Sequence, residues 1–423
     1  MRDFSRRTLL KTSGMAATLA AAKSLFPAGA FAQGAGLETT KATLGYIALT
    51  DASPLIIAKE KGLFAKYGMP DVEVVKQASW GTTRDNLELG SGGGGIDGAH
   101  ILTPMPYLLQ LGKISKNNQP VPISIVLRLN TNGQAISVSN AYKDLKVGLN
   151  SAPLKDVFKG VAASGKEIKI AMTFRGGTHD LWIRYWLAAG GIDPDKDVQT
   201  IVVPPPQMVA NMKVGSMEAF CVGEPWNAQL VNQGIGYTAV STGEFWKDHP
   251  EKSLALRTDW IEKNPKAAVA LTAAVLEAQQ WCDKPENREE MCTIVGKRAW
   301  FNVPVADIIG RTKGDFDFGT GRKETNAPYV MKFWADHASY PFQSHDLWFL
   351  TENIRWGVLA PETDLAGTIK AVNRQDVWRE AAKLIGATGP EGTSRGVETF
   401  FDGIKFDPAN PQAYLAAQKI KRV

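Results

Sequence analysis

Short β-branched runs alternate with stretches of helical apolar spacing from Ala42 onward, and after one polar break the same alternation starts again. Few architectures accept that pattern. A strand buried on both faces reads as a short apolar run and its crossover as an amphipathic helix, so the chain is expected to build parallel sheets covered by helices. In the first series the strands are Thr43–Ile47, Val72–Val75, Ile96–Ile101 and Ile123–Leu127. Between them, Leu55–Tyr67 places Ile56, Leu63, Phe64 and Tyr67 on one helical face before Gly68 and Pro70 stop it, and Thr83–Gly90 and Pro104–Leu111 are further helices. The break is Asn130-Thr131-Asn132-Gly133. Beyond it the strands are Ala135–Val138, Ile168–Ala171, Val198–Val203, Ala219–Val222 and Tyr237–Val240, with helices over Asp180–Ala189 and Gln207–Gly215.

After Ser253 the chain becomes largely helical, and its longest amphipathic helix, Pro265–Cys282, is expected to pack back on the first unit. At about 100–200 residues per domain, 423 residues suit this division. The expected fold class is therefore α/β with two lobes and two crossing strands at a hinge. Lobe I takes residues 41–130 and 241–386, lobe II takes 131–240, and a tail rich in Gly, Pro and Lys, 387–423, wraps the surface.

The N-terminus carries its own signal. Ser5-Arg6-Arg7-Thr8-Leu9-Leu10-Lys11, a weakly apolar Ala-rich stretch to Ala22, and Ala30-Phe31-Ala32 form a twin-arginine export signal over residues 1–32, cleaved before Gln33. No cysteine stands at the cleavage point to take a lipid. No later apolar run reaches the roughly 18 residues that a membrane helix needs. A soluble periplasmic protein is the expectation. Removing the segment takes the formal charge from +5 to 43 basic against 42 acidic residues, and no Lys/Arg run remains, so nucleic-acid binding is not expected. Three cysteines remain, none with metal-site spacing. Cys282 and Cys292 either bridge two helix ends across the intervening turn or stay as separate buried thiols.

Catalytic motifs are missing. Gly90-Ser91-Gly92-Gly93-Gly94-Gly95 has no following Lys-Ser/Thr and precedes a strand, so it is a flexible turn rather than a phosphate cradle. There is no nucleophile elbow, no His-Glu-x-x-His and no Cys-x-x-Cys. What gathers instead at the carboxyl ends of the expected strands, where open α/β sheets bind ligands, is a set of donors. Ala78-Ser79-Trp80-Gly81-Thr82-Thr83 and Phe174-Arg175-Gly176-Gly177-Thr178-His179 each join a strand to a helix start, Gln134 lies at one crossing, and Lys252 lies near the other. Singly each has a plainer reading: Trp80 as core, Gln134 as a turn residue, His179 as a first-turn residue, Lys252 as a solvated side chain.

At these residues the sequence resembles the periplasmic nitrate-binding proteins of ABC importers, close relatives of bicarbonate-binding proteins, over roughly residues 41–385. Leu44-Gly45-Tyr46 through Asp51-Ala52-Ser53-Pro54, Ala78-Ser79-Trp80 with Arg84-Asp85-Asn86-Leu87, Ile96-Asp97-Gly98-Ala99-His100-Ile101 with Pro104-Met105-Pro106-Tyr107, and Gly223-Glu224-Pro225-Trp226-Asn227 carry the resemblance. It implies a two-lobed periplasmic solute-binding fold of type II, with an anion site lined by Trp80, Gln134, His179 and Lys252 and completed by Gly81, Thr82 and Gly177. Family members usually carry a lipid-anchor cysteine where this chain has the twin-arginine signal.

The implied partners are nitrate, with nitrite beside it, and an inner-membrane ABC permease. The protein is expected to be a monomer and not an enzyme, with no cofactor and no metal. Nitrate is planar and only accepts hydrogen bonds, so its pocket needs donors and one compensating cation, here Lys252, with no unpaired carboxylate facing it. Glu224 either braces the hinge or pairs with Lys252 or Arg175. Three alternatives stand beside this reading. One is a bicarbonate-binding protein with calcium. Another is an enzyme like the pyrimidine synthases of thiamine biosynthesis, whose cysteine-rich motif is absent here. The third is a periplasmic nitrate sensor subunit, which needs only the same closure.

Overall fold

The computed structural model describes residues 36–422, and the expected twin-arginine signal over residues 1–32 lies outside them. Two five-stranded sheets organise the chain. The first holds β1 (Lys41–Tyr46), β2 (Asp71–Lys76), β3 (Gly98–Leu102), β4 (Ile123–Arg128) and, much later, Lys252–Arg257. The second holds β5 (Gln134–Ser139), β6 (Lys169–Met172), β7 (Gln199–Val202), β8 (Ala219–Gly223) and β9 (Gly236–Ser241). With Lys252–Arg257 as β10, the orders are β2-β1-β3-β10-β4 and β7-β6-β8-β5-β9.

The sheets are mixed rather than parallel throughout. In the first, β10 runs antiparallel between β3 and β4; in the second, β5 runs antiparallel between β8 and β9. Each odd strand is the one delivered by a crossing, through residues 129–133 or 242–251. Running against its neighbours, it begins where they end. Gln134, the first residue of β5, pairs with Gly223, the last of β8, and Lys252, the first of β10, pairs with Leu102, the last of β3. Both strands therefore start at the carboxyl edge of their sheet, the edge that faces the cleft. Reading helix after Ser253 missed β10 because Lys252-Ser253-Leu254-Ala255-Leu256-Arg257 has no β-branched residue; burial on both faces, not propensity, makes it a strand.

Two further expectations are corrected. The single helix over Leu55–Tyr67 is two, Ser53–Glu60 and Leu63–Lys66, because Gly62 sits at φ +69° and turns the chain between them. The glycine run is no loose turn: Ser91–Gly93 form a 3₁₀ turn, the Ser91 hydroxyl bonds Asp97, and a Cβ on Gly95 would lie 2.1 Å from the Asn86 carbonyl oxygen. Among the described residues no helix is long and apolar enough to cross a membrane.

The helix Pro265–Asp283 packs on Ser53–Glu60 and on Gln375–Leu384, with Ala267, Ala274 and Ala278 fully buried so that backbones approach closely. Cys221, Cys282 and Cys292 are separate buried thiols. The chain beyond Ala387 does more than coat the surface: Phe400, Phe406 and Tyr414 are buried, and Phe400 stacks on Tyr185 of one lobe and Trp348 of the other at 5.3 and 5.5 Å between centroids.

Candidate anion-binding site

Trp80, Gln134, His179 and Lys252 meet in one cluster, each at most 1% exposed. Local structure puts each of them there. Trp80 opens the helix Trp80–Leu89 directly after β2, its start fixed by Ser79, whose hydroxyl accepts the Thr82 amide at 3.1 Å. His179 is the second residue of the helix Thr178–Ala189, which follows β6. Gln134 and Lys252 begin the two inserted strands. The Lys252 ammonium stands 5.8 Å from the centroid of the Trp80 ring.

Lys252 is not the lone cation that the sequence suggests. Its Nζ lies 3.0 Å from Asp51 Oδ2 and 2.8 Å from Glu251 Oε1, and both carboxylates are fully buried. Asp51 also accepts from Gln134 Nε2 (3.0 Å) and, at Oδ1, from His100 Nε2 (2.6 Å). Glu251 accepts from Trp182 Nε1 (2.8 Å) and from the Thr178 hydroxyl. Two carboxylates thus flank one ammonium.

The hydrogen bonds assign the ring protons. Gln134 gives its amide hydrogens to Asp51, so its Oε1, 2.6 Å from His179 Nε2, accepts that ring's proton. His179 Nδ1 then accepts from the Thr173 hydroxyl at 2.5 Å, and the imidazole is neutral. Burial, reinforced by the Lys252 charge, holds His179 well below the usual histidine range. Burial lowers His100 too, against the pull of Asp51. Burial would raise the Asp51 carboxyl, but Lys252 and His100 overcome it and hold Asp51 below its ordinary value. For Glu251 burial prevails and the value goes up despite Lys252. Burial opposes the Lys252 charge, yet Asp51 and Glu251 together hold it above the ordinary value, so the ammonium persists.

One donor in this network has no partner. Trp80 Nε1 is buried and bonds to nothing among the described residues. A buried N–H left unpaired costs about 1–3 kcal/mol, a cost that an accepting ligand removes.

The other expected residues fall out differently. Gly81 and Thr82 lie in the first turn beside Trp80, with the Thr82 hydroxyl 3.0 Å from Ser79 Oγ. The Gly177 amide is already given to the Phe174 carbonyl at 3.1 Å; what the position supplies is space, since a Cβ there would stand 2.6 Å from Leu102 of the opposite lobe. Arg175 is exposed and takes no part in the cluster. Glu224 pairs with neither Lys252 nor Arg175 but with Arg311, while its carbonyl accepts the Thr50 amide at 2.7 Å, so it ties the lobes at the hinge. Sequence reasoning missed Asp51, His100, Glu251, Thr173, Thr178 and Trp182 as site residues. Asp51 and His100 do stand within the stretches that carried the family resemblance, and His100 interrupts an otherwise apolar strand. Among the described residues no three His, Cys, Asp or Glu side chains are placed to hold a metal ion.

A family model described as the NMT1-like family matches residues 35–296. The nitrate/nitrite binding protein NrtA of Synechocystis sp. is 63% identical over 390 residues, 91% of this chain and 86% of that protein. The chain belongs to the NMT1-like family. Also similar to this NMT1-like chain is the bicarbonate-binding protein CmpA of Synechococcus elongatus, 46% identical over 398 residues, 91% of this chain and 88% of that one. The crystal structure of the periplasmic nitrate-binding protein NrtA from Synechocystis superposes with a TM-score of 0.89 at 62% identity, covering 91% of this NMT1-like chain and 100% of that one.

Proposed function

We propose that this NMT1-like protein is the periplasmic component of an ABC importer: nitrate, and with it nitrite, is captured between the lobes and handed to an inner-membrane permease. One observation carries the choice of ligand. A fully buried indole N–H without a partner belongs to a ring whose centroid lies 5.8 Å from a persistent ammonium, in a cluster that Gln134 and His179 complete from the start of a strand and the start of a helix, with two carboxylates held by that ammonium. An anion that only accepts hydrogen bonds satisfies Trp80 and meets Lys252 without needing an acceptor in return. Trp80, Gln134, His179 and Lys252 form its walls, and the helix starts at Gly81-Thr82 and Gly177 add positive dipole. The protein acts by binding and release, with no bond made or broken.

The bicarbonate reading has a footing of its own, because Asp51 and Glu251 could accept the bicarbonate O–H or draw in calcium. Lys252 already occupies both, at 3.0 and 2.8 Å, so neither carboxylate is free to hold a metal ion, which favours the monovalent acceptor-only ligand. Calorimetric titration with nitrate, nitrite and bicarbonate, each with and without calcium, decides between them. Micromolar or tighter nitrate binding that ignores calcium is the expected result, at about −8 kcal/mol for a micromolar Kd; a response confined to bicarbonate with calcium reverses the assignment. Export by the twin-arginine route and a monomeric state belong to the same proposal, and are read from the cleaved N-terminus and from light scattering.

A further inference from the structure

The cluster holds an electrostatic imbalance that simple anion capture leaves unresolved. Asp51 and Glu251 flank Lys252, and all three side chains are fully buried. A nitrate seated there brings a third negative charge against a single positive one, where solvent cannot screen it. Other buried cations nearby are already paired: Arg128 with Asp346, Arg311 with Glu224. A positive charge has to enter with the anion.

We infer that the site takes up one proton together with the anion, and that His179 receives it, an inference that rests on the nitrate reading above. The geometry around His179 suits the change. Its Nδ1 faces the Thr173 hydroxyl at 2.5 Å, a group that donates to the neutral ring and, with a turn of its hydrogen, accepts from the charged one. Its Nε2–H already faces Gln134 Oε1 at 2.6 Å. The imidazole becomes an imidazolium without moving a heavy atom. Glu251 is the worse acceptor, since its two oxygens already face three donors, Lys252, Thr178 and Trp182, and a new O–H there would point among them.

The groups that set the field on His179 come from every side. Lys252 Nζ lies 3.4 Å and Glu251 Oε1 3.8 Å from its Nε2. Asp51 acts through Gln134, His100 is committed to Asp51, and His249 is held by Thr242 and the Pro250 carbonyl. In the empty site burial and Lys252 together keep His179 uncharged. An anion seated beside both the ammonium and the imidazole opposes that field. By linkage, the proton then tightens the anion as much as the anion tightens the proton. Because the complex binds more protons than the empty protein, nitrate affinity rises as pH falls. The gain approaches about tenfold per pH unit between the depressed pKa of the empty site and the raised one of the complex.

The test is nitrate calorimetry on the exported protein at several pH values between about 5 and 8, in buffers of different ionisation enthalpy, the unperturbed histidine value of about 6.5 lying inside that range. The heat should scale with the buffer's ionisation enthalpy, with a slope approaching one proton, and Kd should rise with pH. His179→Asn should bind nitrate more weakly, with no buffer dependence, and Glu251→Gln, which removes one of the two flanking negative charges but not the acceptor, should shrink the dependence without abolishing it. Thr173→Val, which removes the acceptor for the new Nδ1–H but not the ring, should reduce proton uptake. Nitrate heat that is the same in every buffer overturns the inference, as does a dependence that survives His179→Asn. The wild-type series stands even if a variant fails to fold. Absence of nitrate heat in all buffers is a different failure, that of the nitrate reading itself.

Discussion

Trp80 and Lys252 are both fully buried, yet the protein depends on them in opposite ways. The Trp80 indole N–H bonds to nothing in the described protein, so Trp80→Phe removes a donor that only a ligand would use. It should weaken nitrate binding by about 1–2 kcal/mol, roughly 5–30-fold, without lowering the urea midpoint of the empty protein; equal losses of affinity and stability would make Trp80 a packing residue. Lys252→Ala strips the counter-charge from Asp51 and Glu251 at once. Breaking a buried pair from one side costs about 3–5 kcal/mol, so here the urea midpoint should fall while nitrate affinity drops at least about tenfold. Calorimetry and denaturant unfolding on the two variants separate these roles, and a Lys252→Ala protein of unchanged stability would contradict the pairing. The sequence showed the ammonium but not its partners. Asp51 belongs to a turn far upstream and Glu251 looks like one more acidic residue in a polar loop; only folding brings either against Lys252.

Among elements, the two inserted strands do the positioning, and the sequence disclosed them unequally. Gln134–Ser139 reads as a strand because Ile136 and Val138 are β-branched, whereas Lys252–Arg257 does not, so the start of β10 was legible only as a point near a crossing. The same local blindness joined two helices across Gly62, whose left-handed φ of +69° follows no apolar period. Helix starts were legible only roughly: the helix expected from Thr83 begins at Trp80, where Ser79 caps it. Pairing at the cleft edge also explains a residue noticed only as part of the family resemblance. Gly223 ends β8 opposite Gln134, and a Cβ there would lie 2.7 Å from Gln134 Oε1 and 3.3 Å from Asp51 Oδ2. Gly223→Ala should therefore push Gln134 off both Asp51 and His179 and weaken nitrate by about 1.4 kcal/mol or more, tenfold or beyond. Far-ultraviolet dichroism should stay unchanged, and wild-type affinity in this variant would show that Gln134 does not need its present place.

At the scale of the whole molecule, the two lobes were legible because alternation of strand and helix is a repeated signal. The tail was not, because its buried aromatics come singly: Phe400, Phe406 and Tyr414 are separated by Gly, Pro and charged residues with no period to read. Their role follows from where they pack. Phe400 stacks on Tyr185 of the helix Thr178–Ala189 and on Trp348 of the helix Gln343–Arg355, and lies 5.2 Å from Trp246 on the return crossing. Asp402 accepts the Tyr185 hydroxyl at 3.0 Å, and Trp348 stacks in turn on Trp182, whose indole N–H holds Glu251. One tail residue thus touches both lobes and the hinge. Phe400→Ala should cost about 3–5 kcal/mol, as expected for a large aromatic lost from a packed core. Because that core spans the lobes, the loss should also lower the urea m-value as their unfolding becomes less cooperative. Tryptophan fluorescence through the urea transition reads both quantities. A loss below about 1 kcal/mol, with the slope unchanged, would return the tail to the surface wrapping that its sequence suggests.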